Sequence, residues 1–164
     1  MAVISTPFTG QRTSLYAKTT ALALESLAAG DLVGEVNSIG DIELSRNMIE
    51  INSYGSDYKS QLPGQKASGT VDITLNWVPD ATAAAAALLR TAYDSGAKTY
   101  FAVVWQDGPT DAVPANTKVA ACTFSGYISS YALSQPLEDV VTANVTITID
   151  QGVTFDLDGT LGSA

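Results

Sequence analysis

The sequence contains no histidine and a single cysteine, Cys122. Without histidine, the chain lacks the most common general base and the most common metal ligand, and Ser–His or Cys–His nucleophilic pairs are impossible. One cysteine cannot form a disulfide within the chain. Because Cys122 lies in an apolar strand pattern, we predict that it is a small core residue. We expect neither a metal nor another cofactor.

Positive charge is also scarce. Lys and Arg number 8 against 17 Asp and Glu, which gives a formal net charge of −9 and a pI near 4.1. Tight nucleic-acid binding requires a basic surface, because the ligand is a polyanion. The composition therefore argues against a protein that grips DNA or RNA, since an acidic surface repels phosphate.

A long apolar run is absent as well. The longest, 83–89, is much shorter than the ~20 residues that a membrane-spanning helix needs. The first residues, MAVISTPFTGQR, lack a basic segment followed by an apolar core, so we expect no signal peptide. We therefore expect no membrane partner.

What the sequence does contain is alternation of polar and apolar residues, the pattern of half-buried β-strands. Residues 69–78 and 140–150 show it most clearly, with every second side chain apolar. This pattern predicts that Trp77, Val145 and Ile147 face the core. Further strands are predicted at 32–36, 41–44, 49–51, 100–105 and 118–133, the last with Cys122, Phe124 and Ile128 facing inward.

One helix is predicted, over 81–95. Pro79 ends the preceding strand, and the Asp80 carboxylate can accept hydrogen bonds from the free amides of the first helical turn. Gly96 suits the left-handed residue that follows a helix. Because a single helix leaves parallel strands without crossover connections, we expect antiparallel strands. The expected fold class is mainly β with one packed helix.

A long polar segment, 53–68, separates two of the predicted strands and shows no alternation. Connections of this length inside a compact domain are uncommon, and they are usually functional or disordered. We predict that this segment is an interaction loop.

The sequence near the C-terminus, VTFDLDGTL at 153–161, resembles the first motif of haloacid-dehalogenase-like phosphatases. That resemblance implies a nucleophile at Asp156 and an acid/base at Asp158, both aided by magnesium. In that family the motif ends the first strand of a parallel α/β domain, and the other catalytic groups follow it. Only three residues follow Leu161 here. We therefore expect a flexible acidic tail or a short terminal strand.

Two other features of the sequence could belong to a functional site but are also explained by ordinary structure. The adjacent acids Glu138 and Asp139 have the chemistry for acid/base catalysis, but in a Pro-containing turn they are more typical of solvated surface. Trp77, Trp105 and the seven tyrosines have the chemistry of a carbohydrate-binding face. Both tryptophans lie in apolar strand patterns, which favours core packing.

Residues 31–150 resemble the lambda-like major tail tube proteins of long-tailed phages. Three segments carry the likeness: GTVDITLNWVPD at 69–80, ALLRTAYDSGAKTYFAVVW at 87–105 and FSGYISSYALSQPLEDVVTANVTITIDQG at 124–152. The resemblance implies an antiparallel β-sandwich or barrel-like tail tube fold with one flanking α-helix. It also implies hexameric rings that stack into a hollow tube, which conducts DNA during genome ejection.

On this resemblance the chain divides into an N-terminal arm at 1–30, a tail tube β domain at 31–152 and a C-terminal tail at 153–164. Its partners would be other copies of itself, a tape measure protein and a tail terminator. DNA would pass through the lumen without specific binding. The protein would belong to the virion tail, after assembly in the host cytoplasm.

The resemblance also suggests roles for particular residues. Tyr54, Tyr58 and Leu62 of the long loop would contact an adjacent ring. Because an acidic wall repels DNA, acids on the polar faces of the inner strands would line the lumen. The candidate lumen acids are Asp41, Glu43, Asp72 and Asp150.

Two other classes fit the same β-rich composition. One is another phage or surface structural subunit, such as a capsid decoration, fibre or pilus protein. The other is a carbohydrate-binding β-sandwich. Hollow tubes in electron micrographs would favour the tail tube, whereas glycan binding by a monomer would favour the binding module.

Overall fold

The computed structural model describes residues 13–34, 36–52, 54–55, 58–77, 84–106 and 118–160. Within these ranges the chain is mainly β, with one α-helix and two short 3-10 turns at Leu24–Ser26 and Ala29–Asp31. The helix is α1 (Ala84–Ser95), and the strands are β1 (Thr13–Lys18), β2 (Leu32–Val33), β3 (Val36–Ile39), β4 (Leu44–Ile51), β5 (Ser60–Ser68), β6 (Thr70–Asn76), β7 (Thr99–Gln106), β8 (Lys118–Ser134) and β9 (Thr142–Thr160).

Seven strands form one sheet in the order β2-β1-β7-β8-β9-β6-β3, and β4 and β5 form a separate two-stranded hairpin. Every pairing is antiparallel. The large sheet does not close on itself, because β2 and β3 remain as its two edges. The predicted class, mainly antiparallel β with one flanking helix, is confirmed.

The seven-stranded sheet has two halves, because β8 and β9 are about twice as long as their neighbours. They have 17 and 19 residues, against 8 in β7 and 7 in β6. β7 pairs with β8 only as far as Gly126, and β6 pairs with β9 only as far as Thr148. The five-stranded half consists of β2, β1, β7, residues 118–126 of β8 and residues 150–160 of β9; the four-stranded half consists of residues 127–134 of β8, residues 142–149 of β9, β6 and β3.

Both long strands bend where the halves meet. The register of β8 against β9 shifts on both sides of Gly126, and Gln151 of β9 has a positive φ of 72°. Irregularities of this kind bend a strand and increase its twist. A side-chain Cβ at Gly126 would overlap the carbonyl oxygen of Thr148. Only glycine therefore permits the close approach of the two strands at the bend.

The main core lies between the two halves, whose inner faces meet because of this bend. Phe101 and Cys122 of the five-stranded half share one buried cluster with Val145 and Ile147 of the four-stranded half. Phe101 stacks on Phe124, with ring centroids 5.4 Å apart. The inward orientation predicted for Cys122, Phe124, Val145 and Ile147 is confirmed.

Helix α1 packs against β8 and β1. Leu89 and Ala92 are buried in the main core, whereas Arg90 lies on the exposed face of the helix. Leu89 and Ala92, three residues apart, thus form a buried apolar stripe on one side of the helix. Gly96 follows the helix with a φ of 66°, the left-handed conformation predicted there. The first three residues of the predicted helix, 81–83, lie outside the described residues.

Residues 13–18, which fall within the predicted N-terminal arm at 1–30, form β1 inside the sheet. Leu15 faces the main core, while Tyr16 faces a smaller apolar cluster on the opposite side, which Leu27 covers. The five-stranded half is thus covered on both faces. Burial of successive residues removes the alternation by which a strand is recognised in a sequence. Residues 1–12 lie outside the described residues.

Three other expectations differ from the structure. The predicted loop 53–68 is only half loop, because Ser60–Ser68 forms β5 and pairs with β4. The predicted strand at 41–44 contributes only its last residue to β4. Trp77 is 40% exposed rather than inward-facing. It follows the last residue of β6, so the alternation of that strand no longer fixes its direction.

Candidate assembly surfaces

The outer face of the four-stranded half is uncovered and polar. Its side chains are half-buried or exposed, and most are hydroxyls or amides. The outward-facing residues of these four strands include no lysine or arginine, and Asp72 is their one acid. They are Ser38 of β3, Thr70, Asp72, Thr74 and Asn76 of β6, Thr142, Asn144, Thr146 and Thr148 of β9, and Tyr127, Ser130, Ala132 and Ser134 of β8.

Cross-strand hydrogen bonds fix some of these side chains. The Thr146 hydroxyl donates to Oδ1 of Asp72 at 2.7 Å. The Thr74 hydroxyl donates to Oδ1 of Asn144 at 3.0 Å. Neighbouring pairs of this type contribute to pairing of the strands and hold the polar groups in place. The carboxylate of Asp72 therefore keeps a defined position on an otherwise uncharged face.

Both edges of the four-stranded half are open. Among the described strands, β3 pairs only with β6, on one side. On the other edge, residues 127–134 of β8 have no strand partner on the side away from β9 among the described residues, because β7 stops pairing at Gly126. Each edge presents unpaired backbone N–H and C=O groups, which is a template for another strand.

The β4–β5 hairpin extends from one end of this half. Every side chain of β4 is exposed, as are most of those of β5. The exposed set includes Met48, Ile49 and Leu62. An isolated two-stranded hairpin is marginally stable in water. Large apolar side chains exposed together in this way are typical of a surface that contacts another protein.

The predicted contact residues Tyr54, Tyr58 and Leu62 all belong to this hairpin. Tyr54 and Tyr58 lie in the connection between β4 and β5 and are 110% and 85% exposed. Leu62 lies on β5 opposite Ile49 of β4. The structure thus groups the three predicted residues on one projecting element.

The four candidate lumen acids lie in different surroundings. Asp72 is on the polar face described above. Lys98 donates a 2.7 Å hydrogen bond to the carboxylate of Asp150, with which it forms an ion pair, and this hydrogen bond raises the pKa of Lys98. Asp41 and Glu43 are exposed in the connection between β3 and β4, outside both strands. Of the four candidate acids, Asp72 is therefore the one that lies on the polar face of the four-stranded half.

A cavity of about 580 Å³ lies where β3 and the segment after it approach the five-stranded half. Asp41 and Ile42 line it on one side, and Trp105 and Phe155 on the other. This is the gap left by the open sheet. Both polar and apolar residues line it, and Asp41 is the one charged side chain among the described residues of the lining.

The phosphatase-like motif does not have the context of that family. Asp156 lies exposed on β9 and pairs with Ala121 of β8 in an antiparallel ladder. Residues 153–160 thus form a terminal strand, one of the two alternatives expected for them, and 161–164 lie outside the described residues. Among the described residues, no three His, Cys, Asp or Glu side chains are grouped to hold a metal ion.

Two further observations bear on chemistry and location. Burial raises the pKa of the Cys122 thiol to about 11, so the thiol is protonated and unreactive near neutral pH. No helix among the described residues is long and apolar enough to cross a membrane.

Comparison with known proteins gives a family and a fold. A family model described as "Phage tail tube, TTP, lambda-like" matches residues 7–157. No curated protein matches by sequence.

Among solved structures, the chain is similar to the tail tube of SPP1, with 16% identity and a TM-score of 0.69 over 94% of this chain and 81% of that one. It is similar to a chain of the PVC sheath-tube complex of an extracellular contractile injection system, with 15% identity and a TM-score of 0.68 over 93% of each chain. It is also similar to a chain of the gene transfer agent virion, with 11% identity and a TM-score of 0.60 over 90% and 98%. At these identities the structural likeness establishes the fold.

Proposed function

The chain belongs to the lambda-like phage tail tube family, and from that membership and its sheet edges we propose that it assembles into hexameric rings that stack into a hollow, DNA-conducting tube. The observation that carries the proposal is the four-stranded half with two open edges. Joining β3 of one subunit to residues 127–134 of β8 in the next would extend the sheet without interruption. Closing a ring of subunits in this way removes every such edge.

The size of such a ring suits a DNA channel. Six subunits with four strands each make a barrel of roughly 24 strands. At about 4.8 Å per strand the circumference is roughly 115 Å, and the diameter between backbones is roughly 37 Å before strand tilt widens it. After inward-pointing side chains are subtracted, one duplex fits.

The chemistry of the polar face supports its place at the lumen. A channel that carried lysine or arginine would hold DNA through its phosphates. The outer face of the four-stranded half carries neither, and two of its hydroxyls, those of Thr74 and Thr146, donate to side chains on neighbouring strands. One acid per subunit, Asp72, would form a ring of six carboxylates. DNA would then pass without specific binding.

Further parts of the proposal follow the family. We propose that the tube is part of the virion tail, that its subunits assemble in the host cytoplasm, and that a tape measure protein and a tail terminator are its partners. Similarity to chains of a sheath-tube complex and of a tube-terminating cap supports a tube that ends in a cap. The division into arm, domain and tail at 30 and 152 stays a prediction.

Disulfide trapping tests the proposed ring. In a Cys122→Ala background, Ser38→Cys on β3 is combined in turn with Ser130→Cys, Ala132→Cys and Ser134→Cys on β8. Within one subunit these positions are three strand spacings apart, roughly 14 Å, which is too far for a disulfide. Oxidation of one pair should give a ladder that ends at a closed hexamer on a non-reducing gel.

The single Ser38→Cys variant is the control, because it can link at most two subunits. Negative-stain electron microscopy of the purified protein should show hollow tubes. Absence of tubes at any concentration would contradict the tube, whereas tubes without any ladder would contradict only the pairing of these edges.

We further propose that the chain has no hydrolytic activity. The motif around Asp156 lies on an antiparallel terminal strand, and an antiparallel ladder gives it no phosphate-binding loop. A generic phosphate ester with magnesium should not be turned over. Magnesium-dependent turnover that disappears in Asp156→Asn would contradict this.

A further inference from the structure

Two cations of the β4–β5 hairpin face each other without an acid between them. Arg46 of β4 pairs directly with Lys66 of β5, so their side chains share one face of the hairpin. Like charges directly opposite each other destabilise a strand pair. Neither side chain has an ion pair or hydrogen bond within the described part of the chain.

The other cations behave differently. Lys18, Lys59, Arg90 and Lys98 are the remaining lysines and arginines whose side chains are described, and each has an ion pair with Asp or Glu. In a chain with a net charge of −9, two adjacent unpaired cations are an exception. Their side chains are exposed on a projecting element, so an acidic surface on another molecule can reach them.

A complementary surface lies at the opposite end of the four-stranded half. The turn 135–141 between β8 and β9 carries the adjacent acids Glu138 and Asp139, and neither has an ion pair among the described residues. Leu137 next to them is 101% exposed, and Val140 is 56% exposed. This turn thus combines negative charge with apolar side chains that the subunit does not cover.

The strand register shows that the two surfaces lie at opposite ends. The hairpin joins the sheet through Gly69, beside the pair Thr70–Thr148. The turn joins it beside the pair Asn76–Thr142, and Trp77 donates a backbone hydrogen bond to Val141. The length of β6 separates these points, roughly 20 Å. The hairpin end of each subunit therefore carries two cations without an ion pair among the described residues, and the turn end carries two acids without one.

We infer that the hairpin of a subunit in one ring docks on the turn 135–141 of a second copy in the next ring, with Arg46 and Lys66 facing Glu138 and Asp139. Met48, two residues from Arg46 on the same strand face, would contact Leu137. This inference rests on the proposed stacked rings. It names the partner surface and the charges that set the direction of stacking.

The geometry agrees with an open stack. A contact between two different surfaces of the same chain is heterologous, and it repeats without limit unless rotation closes it. Two exposed ion pairs are weak for one subunit, and their loss costs roughly tenfold in binding. A ring of six subunits makes all of these contacts together, so ring stacking should depend steeply on them.

The test is a charge swap followed by electron microscopy and sedimentation of the purified full chain. Arg46→Glu with Lys66→Glu makes both ends acidic, and Glu138→Lys with Asp139→Lys makes both ends basic. Each double variant alone should remain as single rings or very short stacks at concentrations at which the parent elongates. An equimolar mixture should recover tubes, because rings of the two kinds attract each other at both ends.

Controls separate this contact from general charge and from folding. Arg46→Glu alone is compared with Arg90→Glu, which makes the same change in net charge on α1 and should elongate normally. Recovery in the mixture shows that both variants fold. Parent elongation should weaken as salt rises.

Three results would overturn the inference. They are normal elongation of the Arg46→Glu, Lys66→Glu variant, failure of the mixture to recover tubes, and a block of elongation by Arg90→Glu equal to that by Arg46→Glu. If the parent forms tubes in those cases, the tube itself stands and only the docking surface is wrong. A parent that never forms tubes overturns both.

Discussion

Gly126 occupies the point at which β7, β8 and β9 meet, and its replacement by alanine tests the bend that brings the two halves together. A Cβ there would overlap the carbonyl oxygen of Thr148 and lie 2.9 Å from Cγ2 of Ile147. The first contact is with backbone, so no rotamer change relieves it. The strands must separate, or the register must shift.

Two opposing effects set the magnitude. Overpacking in a dense core costs about 1–3 kcal/mol, and a backbone clash belongs at the upper end. Alanine also reduces the freedom of the unfolded chain, which stabilises by about 0.4–1 kcal/mol. We therefore expect Gly126→Ala to lower the free energy of unfolding by about 2 kcal/mol. For a chain of this length that lowers the thermal midpoint by about 4–8 °C.

Gly152 is a matched control on the neighbouring strand. A Cβ at Gly152 would meet no atom within 4 Å, so Gly152→Ala should leave stability unchanged or raise it slightly. Both variants are unfolded by denaturant and by heat under conditions in which the subunit sediments as one species. Equal midpoints for Gly126→Ala and Gly152→Ala would refute the argument that close strand approach requires glycine at 126.

The remaining predictions concern the core, the thiol and the lumen. Ile147→Ala should cost about 2–5 kcal/mol through lost burial and a cavity, and Trp77→Ala should cost less because Trp77 is 40% exposed whereas Ile147 is fully buried; equal denaturant midpoints would contradict the assigned facing. Burial raises the pKa of Cys122 from 9.0 to about 11, so between these pH values the unfolded chain binds fewer protons than the folded chain and the free energy of unfolding falls as pH rises. Between pH 7 and 10.5 this fall should be shallower in Cys122→Ala than in the parent, and an equal slope would contradict the burial of the thiol. Phage carrying Asp72→Lys should assemble tails but eject DNA slowly at low salt and faster at high salt, whereas Glu25→Lys on the covered five-stranded half should behave like the parent. Normal ejection of the Asp72→Lys phage at both salts would place Asp72 outside the lumen.

The strands that could be predicted are those with a clear apolar pattern, which is alternation in β6 and β9 and a continuous apolar run in β7, a strand buried on both faces. In 140–150 every second residue is apolar, and the structure buries four of these positions, Ala143, Val145, Ile147 and Ile149. β1 was missed because its buried residues, Leu15, Tyr16 and Ala17, show no alternation and form an apolar run of only three residues. β5 was missed for the opposite reason: it lies outside the core, and its residues show no pattern of burial.

The candidate site was predictable only in part. The sequence supplies the acids but not their neighbours, and the neighbours decide what each acid does. Asp150 pairs with Lys98 across 52 residues, and Asp72 accepts from Thr146 across 74 residues. Arg46 and Lys66 likewise lie opposite each other because of the register between β4 and β5. That register shifts between Arg46 and Met48. Long-range pairing of this kind leaves no local signal.

The hairpin at one end of the four-stranded half and the turn at the other make the two ends of the subunit chemically different. A filament of such subunits is polar, so its two tips expose different chemistry: cationic strand faces at one and acidic turns at the other. Each tip can then be recognised by a different partner, one that starts growth and one that stops it. Growth of the filament in one direction would thus follow from the position at which the hairpin leaves the sheet, and no additional protein would be needed to distinguish the two ends.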